Sequence, residues 1–219
     1  MKLANIQAGV NRDMADYWAD RLMQHHRDQY KGRVLAKLPE DLRVYQHVIE
    51  ETRPQVVVEL GTYAGGSALW FADQLNVLCG ARDGPTVVTI DTAIRGRNIT
   101  MDDPNVAFIH GDLADANVIA RVHGIASGRR VMVVEDAAHT DRCTTAALES
   151  YADLVSPGCY FVVEDAIVDD PVLALPGWEG GGVTDAIERF LAKHEEFTQE
   201  HLEPYGLTMH FGGWLKRDG

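Results

Sequence analysis

The sequence predicts an α/β protein built on a doubly wound, mostly parallel sheet. Three observations carry that prediction. Short aliphatic runs alternate with segments of helical periodicity. The run Val56–Leu60 reads as buried on both faces, as a strand inside a parallel sheet must be. Four strand-like runs close on acids, at Glu59, Asp91, Asp136 and the Glu164-Asp165 pair. Ligands of open α/β sheets bind at the carboxyl ends of strands, so these acids are expected on one rim.

The elements follow in order. Residues 13–30 read as a polar helix whose sizeable apolar residues are Trp18, Leu22 and Met23. A second helix spans 40–52, with Leu42, Tyr45, Val48 and Ile49 at helical spacing and Pro54 as its stop. After strand 56–60 come helix 67–78, strand 86–90 and strand 106–109. Helix 115–126 takes Asp115 as its N-cap. Strand 131–134, helix 141–154 and strand 160–163 complete the alternation. Residues 166–183, with two prolines, Trp178 and three successive glycines, read as a loop over a site. Helix 185–194 opens with Asp185 and Glu188 in a capping-box relation. The tail 207–216 reads as a last strand. Residues 1–219 are expected to form one domain, with 1–53 as an N-terminal helical extension.

Composition narrows the function. The 219 residues are 46% hydrophobic and 24% charged, with a net charge of −13. That balance disfavours nucleic acid and anionic membranes as partners and suits a small hydroxylated substrate. Three scattered cysteines, Cys79, Cys143 and Cys159, form no C-x-x-C pair, which points to a reducing, cytoplasmic setting. No apolar run is long enough for a membrane span, and the N-terminus lacks the apolar core of a signal peptide.

The glycine turn after Val56–Leu60 is the strongest local signal. It reads Glu59-x-Gly61-x-x-x-Gly65-Gly66. Tyr63 stands where a dinucleotide fingerprint needs its second glycine, and no lysine follows as in a P-loop. A nucleoside pocket remains, with Asp91 able to accept both hydroxyls of a ribose. The turn resembles the first motif of Rossmann-like methyltransferases that use S-adenosylmethionine (SAM). The candidate SAM contacts are Glu59, Gly61, Thr62, Tyr63, Gly65, Ser67, Asp91, Gly111, Asp112 and Asp136.

Asp136, Glu164 and Asp165 form a second constellation. Three carboxylates at adjacent strand ends repel one another unless a cation lies between them, and hard oxygen ligands suit Mg²⁺. His139, three residues after Asp136, is a candidate general base. Asp136 and His139 are thus the candidate catalytic pair. The pair His25-His26 and the residues His194 and His201 read as solvated surface. Tyr63, Trp178 and Gly180–Gly182 are candidate substrate walls, and Trp70 and Trp214 candidate core residues.

The order VELGTYAGGSALWFA, TIDTA, VEDAAHT, LVSPGCYFVVEDA and GGGVTDAIERFL resembles the cephalosporin-hydroxylase-type, rhamnosyl O-methyltransferase-like family. The resemblance runs from about Leu38 to about Leu191. It implies a class I methyltransferase fold with a seven-stranded sheet and an antiparallel last strand. It also implies a SAM- and Mg²⁺-dependent O-methyltransferase whose metal ligands fall on Asp136, Glu164 and Asp165. The metal site is similar to that of catechol O-methyltransferases, which carry a lysine where this chain has His139. The family pattern Asp-Ser-x-His appears here as Asp136-Ala137-Ala138-His139.

The expected reaction is methylation of a catechol-like aromatic in secondary-metabolite (antibiotic) biosynthesis, with a sugar hydroxyl as the alternative acceptor. A non-catalytic SAM- or nucleotide-sensing module would not need the acidic cluster. A dinucleotide oxidoreductase conflicts with Tyr63. A homo-oligomer is expected, with the N-terminal helix as its contact.

Overall fold

The computed structural model describes residues 2–4, 11–80, 84–93, 102–171, 180–202 and 208–219, with side chains from Asp20 onward. Trp178, in the expected loop, lies outside the described residues.

Strands β1 (Lys2–Ala4) and β2 (Asn11–Asp13) form a small hairpin before helix α1 (Met14–His25). A second hairpin, β3 (Gln29–Tyr30) with β4 (Arg33–Val34), follows. The predicted helix 13–30 is therefore shorter and ends in a hairpin. Lys31 and Gly32, both at positive φ, make that turn. Helix α2 (Pro39–Thr52) starts with proline in its first turn, where the missing N–H costs nothing. The remaining elements are β5 (Val56–Leu60), α3 (Gly66–Gln74), β6 (Val87–Asp91), β7 (Val106–His110), α4 (Ala116–Ala126), β8 (Val131–Glu135), α5 (Asp141–Tyr151), β9 (Tyr160–Val163), α6 (Val183–Leu191), β10 (Phe197–Glu200) and β11 (Trp214–Arg217). A π-helical turn, Leu75–Cys79, ends α3.

The central sheet has seven strands in the order β10-β11-β9-β8-β5-β6-β7. Its pairs are parallel from β9 to β7, and β11 runs antiparallel to both β9 and β10. The sheet thus has the predicted class. Strand β10 was not foreseen, because Phe197–Glu200 carries one buried apolar residue and lies at the sheet edge.

Alternation along each strand feeds two cores. Val56, Val58 and Leu60 pack on one face with Val133, Tyr151 and Ile187, against α4, α5 and α6. Val57 packs on the other with Tyr45, Phe71, Met132 and Trp214, against α2 and α3. Each buried aliphatic side chain contributes about 1.5–3 kcal/mol by leaving water. Trp70 and Trp214 are core residues, as expected. Leu22 is buried with Leu38, Ile167 and Met209. Of the apolar trio assigned to a partner contact, Leu22 is therefore spent within the protomer, and Met23 is 57% exposed.

Ladder hydrogen bonds continue past the strand ends. Gly61 donates to Ile90, Gly111 to Asp91, Asp136 to Leu60 and Glu164 to Glu135, each through its N–H at 2.8–2.9 Å. This shared register brings the acid-bearing ends of β6, β8 and β9 level. Glu59 is the exception: it precedes Leu60 inside β5 and is completely buried.

Candidate active site

A cavity of about 620 Å³ opens along the carboxyl edge of the sheet. Gly61, Tyr63, Asp91, Gly111, Asp112 and Asp136 line it, together with Leu113, Ala137, Arg142 and Cys143. Six of the ten candidate cofactor residues are therefore on its wall. Glu59, Thr62, Gly65 and Ser67 are not among the lining residues.

Gly61 is forced by packing. A Cβ there would stand 1.8 Å from the Asp136 carbonyl oxygen, at a φ of +111°. A Cβ on Gly66 would stand 2.1 Å from the Val34 carbonyl oxygen. The second glycine step thus lets the β3–β4 hairpin seat on α3. Thr62 and Tyr63 donate their N–H groups to Asp91 Oδ2 at 3.0 and 2.8 Å, and Ala93 N–H donates to Oδ1 at 3.0 Å. The Asp91 carboxylate is fixed by backbone while still facing the cavity.

Glu59 sits behind this wall. The Thr89 hydroxyl donates to its Oε2 at 2.6 Å. Burial pushes its carboxyl up to about 7, against the pull of Lys37, Ser67 and Thr89. Glu135 points the other way from Asp136, accepting from Ala137 N–H and the Thr144 hydroxyl, both at 3.2 Å. Burial also raises it to about 7.

Asp136 ends the cavity and begins the carboxylate centre. The buried Lys37 ammonium donates to Asp136 Oδ2 at 2.8 Å and to Glu164 Oε1 and Oε2 at 2.7 and 2.6 Å. The Tyr45 hydroxyl donates to Glu164 Oε1 at 2.5 Å. His210 Nδ1 accepts the Asp165 N–H at 3.1 Å, and its Nε2 lies 3.6 Å from Asp41 Oδ2. Asp41 in turn accepts from the Thr208 hydroxyl and Met209 N–H, fixing the C-terminal segment to α2.

The charges are unevenly settled. Burial disfavours ionised Glu164, yet Lys37 and His210 hold its carboxyl below the usual range. Burial and then Glu164 raise Asp136, despite Lys37. Burial and then Asp136 push Asp165 well above the usual range. In both, burial is the largest cause and a neighbouring carboxylate the next.

His139 completes this edge. Its Nε2 lies 3.4 Å from Asp165 Oδ2 and 3.8 Å from Asp136 Oδ1. Ligand atoms of Asp136, His139 and Asp165 lie within 4.8 Å of one another, as do those of Glu164, Asp165 and His210. Each set joins two carboxylates to one histidine and Asp165 is common to both, so the structure groups the expected trio Asp136, Glu164 and Asp165 only through Asp165; the carboxylate oxygens suit a hard divalent ion. His139 holds a left-handed backbone (φ 49°), an uncommon state for a non-glycine residue. Gly181 fastens it: its N–H donates to His139 O at 2.9 Å, and its carbonyl accepts Asp141 N–H at 2.8 Å. The glycine triplet is therefore a strap tied to His139 through Gly181, and none of its three residues lines the cavity. Asp169 anchors the strap, accepting Gly182 N–H and Thr184 N–H, both at 2.7 Å. Helix α6 starts at Val183 with Gly182 as N-cap, so the expected Asp185–Glu188 capping box is replaced by this distant carboxylate.

Sequence reasoning missed Lys37, His210 and Asp169, and it placed Tyr45 only in the core. The available signal for Lys37 was one charge inside Val34-Leu35-Ala36-Lys37-Leu38. The expectation that His25-His26 is solvated fails for His25, which is 2% exposed. Its Nδ1 pairs with the Leu22 carbonyl within α1, and the ring feels the charges of Asp136 and Lys37. The thiols of Cys79, Cys143 and Cys159 are all free. No helix among the described residues is long and apolar enough to cross a membrane.

Comparisons with known proteins give the family. The family model "Rhamnosyl O-methyltransferase/CmcI" matches residues 23–218. A rhamnosyl O-methyltransferase of Mycobacterium tuberculosis (strain ATCC 25618 / H37Rv) is 28% identical over 199 residues, covering 86% of this chain and 78% of its own. The apo structure of CmcI superposes with a TM-score of 0.67 at 25% identity, covering 89% of this chain and 77% of that one. A CmcI structure with Mg and SAM gives 0.64 at 25% identity, covering 89% and 78%. The chain belongs to the rhamnosyl O-methyltransferase/CmcI family and is a SAM-dependent O-methyltransferase.

Proposed function

We propose that this chain transfers the methyl group of SAM to a sugar hydroxyl, with Mg²⁺ held by the carboxylate centre. The carrying observation is that Asp136 belongs both to the cavity wall and to the carboxylate cluster. A donor in the cavity and an acceptor at the cluster would meet at that residue.

In this reading Gly61, Tyr63, Asp91, Gly111 and Asp112 bind SAM, with Asp91 on the ribose. Asp136, Glu164 and Asp165 are the metal ligands. When bound, Mg²⁺ would orient the acceptor hydroxyl and make it more acidic. His139 receives the hydroxyl proton at Nε2, the nitrogen that faces Asp136 and Asp165. Oxygen takes the methyl group, and the sulfonium leaves as neutral S-adenosylhomocysteine. Catalysis is then largely a matter of positioning. Glu59 serves from behind the wall, by fixing the β5–β6 ends.

A sugar acceptor is favoured over the catechol-like aromatic expected from sequence. The curated relative is named a rhamnosyl O-methyltransferase. Among the described residues, Tyr63 is the exposed aromatic on the cavity wall, at 39% exposure. The test is calorimetric titration of S-adenosylhomocysteine into wild type and Asp91→Ala, together with methyl transfer by Asp136→Asn. The reading requires weakened nucleoside binding in the first variant and lost transfer in the second. Wild-type behaviour in both would remove it.

A further inference from the structure

We infer that Lys37 is a built-in counter-cation of the carboxylate centre, which a divalent ion must displace before Glu164 can coordinate. The inference rests on the metal reading proposed above and adds a control on how that site fills.

The contacts leave little room for another account. An ammonium has three protons to donate. Lys37 Nζ has three carboxylate oxygens in hydrogen-bond range, one on Asp136 and both on Glu164. Glu164 Oε1 accepts from Tyr45 as well. Both oxygens of one expected metal ligand, and one of a second, are thus already turned toward a positive charge. Lone pairs turned to the ammonium are withheld from an ion, and an ammonium and a dication drawn to the same two carboxylates repel each other. Among the described residues Asp165 accepts no hydrogen bond from Lys37, whose three bonds go to Asp136 and Glu164.

Burial gives the contact its weight. The Lys37 side chain is 1% exposed and that of Glu164 2%. A buried charge without its partner is costly. Lys37 therefore steadies the metal-free protein and weakens divalent-ion binding through the same contact. Its neighbour Leu38 packs with Leu22, Ile167 and Met209, and Met209 precedes His210. Displacement of the ammonium is thus a local swing inside a fixed frame, with Tyr45 and His210 still facing Glu164.

The experiment titrates Mg²⁺ into the 219-residue chain, freed of metal, by calorimetry, for wild type, Lys37→Met, Lys37→Gln and Lys37→Arg. Thermal melts run with and without Mg²⁺. Lys37→Gln keeps two donors without the charge, so it retains a folded sample if the apolar variant fails. The inference expects the neutral variants to bind Mg²⁺ on the order of tenfold more tightly than wild type. They should also melt lower without metal and gain more from Mg²⁺. Lys37→Arg should bind like wild type. Neutral variants with unchanged or weakened Mg²⁺ affinity would overturn the inference and leave the metal reading standing. Absence of Mg²⁺ binding in every variant, with S-adenosylhomocysteine still bound, would overturn both.

Discussion

Lys37 Nζ stands 2.6 Å from Glu164 Oε2, although 127 residues separate the two in sequence. The contact joins the segment ahead of α2 to the end of β9. It makes the N-terminal extension part of the site rather than an appendage to it. It also helps explain why Glu164 alone of the three cluster carboxyls lies below the usual range: burial opposes it, and Lys37, His210 and Tyr45 together outweigh burial.

Gly61→Ala tests the close approach of β5 to β8. The added methyl would meet the Asp136 carbonyl oxygen at 1.8 Å. Overpacking and a left-handed backbone together should cost about 3 kcal/mol. Urea unfolding should show that loss, and S-adenosylhomocysteine binding should weaken, because Asp136 must shift.

Asp169→Ala tests the strap on His139. Loss of a helix cap costs about 1 kcal/mol. The displaced Gly181 bridge should reduce kcat on the order of tenfold to a hundredfold, with KM for SAM unchanged. Asp169→Asn keeps one acceptor and should recover part of the rate. A fall in stability with no change in kcat would show that the strap does not position His139.

Glu59 gives a pH signature. Its carboxyl is raised from 4.5 to about 7 in the folded state. Between those values the folded chain holds a proton that the unfolded chain has released. This contribution is fully present below about 4.5 and is lost as pH rises to about 7. The loss amounts to about 3 kcal/mol at most. Glu59→Gln cannot titrate there. Its stability relative to wild type, from urea unfolding, should therefore rise from pH 5 to pH 8. A constant difference would mean that Glu59 keeps an ordinary carboxyl.

Leu22→Ala tests the role of α1. Leu22 is fully buried against Leu38, Ile167 and Met209. Truncation should cost about 2–4 kcal/mol without changing the mass in solution. A change of mass would restore α1 as a contact between subunits.

The parts of this molecule written in local pattern were legible. Val56–Leu60 announces a buried parallel strand, and Asp115 a helix cap, because period and capping chemistry act within a few residues. The same holds for Asp91 and Asp136, whose place at strand ends follows from the alternation. What could not be read depends on long-range approach. The reason for Gly61 lies in the Asp136 backbone, and the reason for Gly66 in Val34. Asp169 caps a helix from across an intervening segment. Lys37 and His210 reach Glu164 from opposite ends of the chain. Short hairpins such as β3–β4 carry too few residues to show a period. Their neighbours in α1 imposed a helical reading on them.

The most direct test of the account is methyl transfer from SAM to a rhamnose-bearing acceptor, run beside a catechol, with Mg²⁺ and with EDTA. The account predicts product on the sugar hydroxyl in Mg²⁺ and its loss in EDTA or in Asp136→Asn. Full turnover in EDTA, or methylation of the catechol alone, would contradict it.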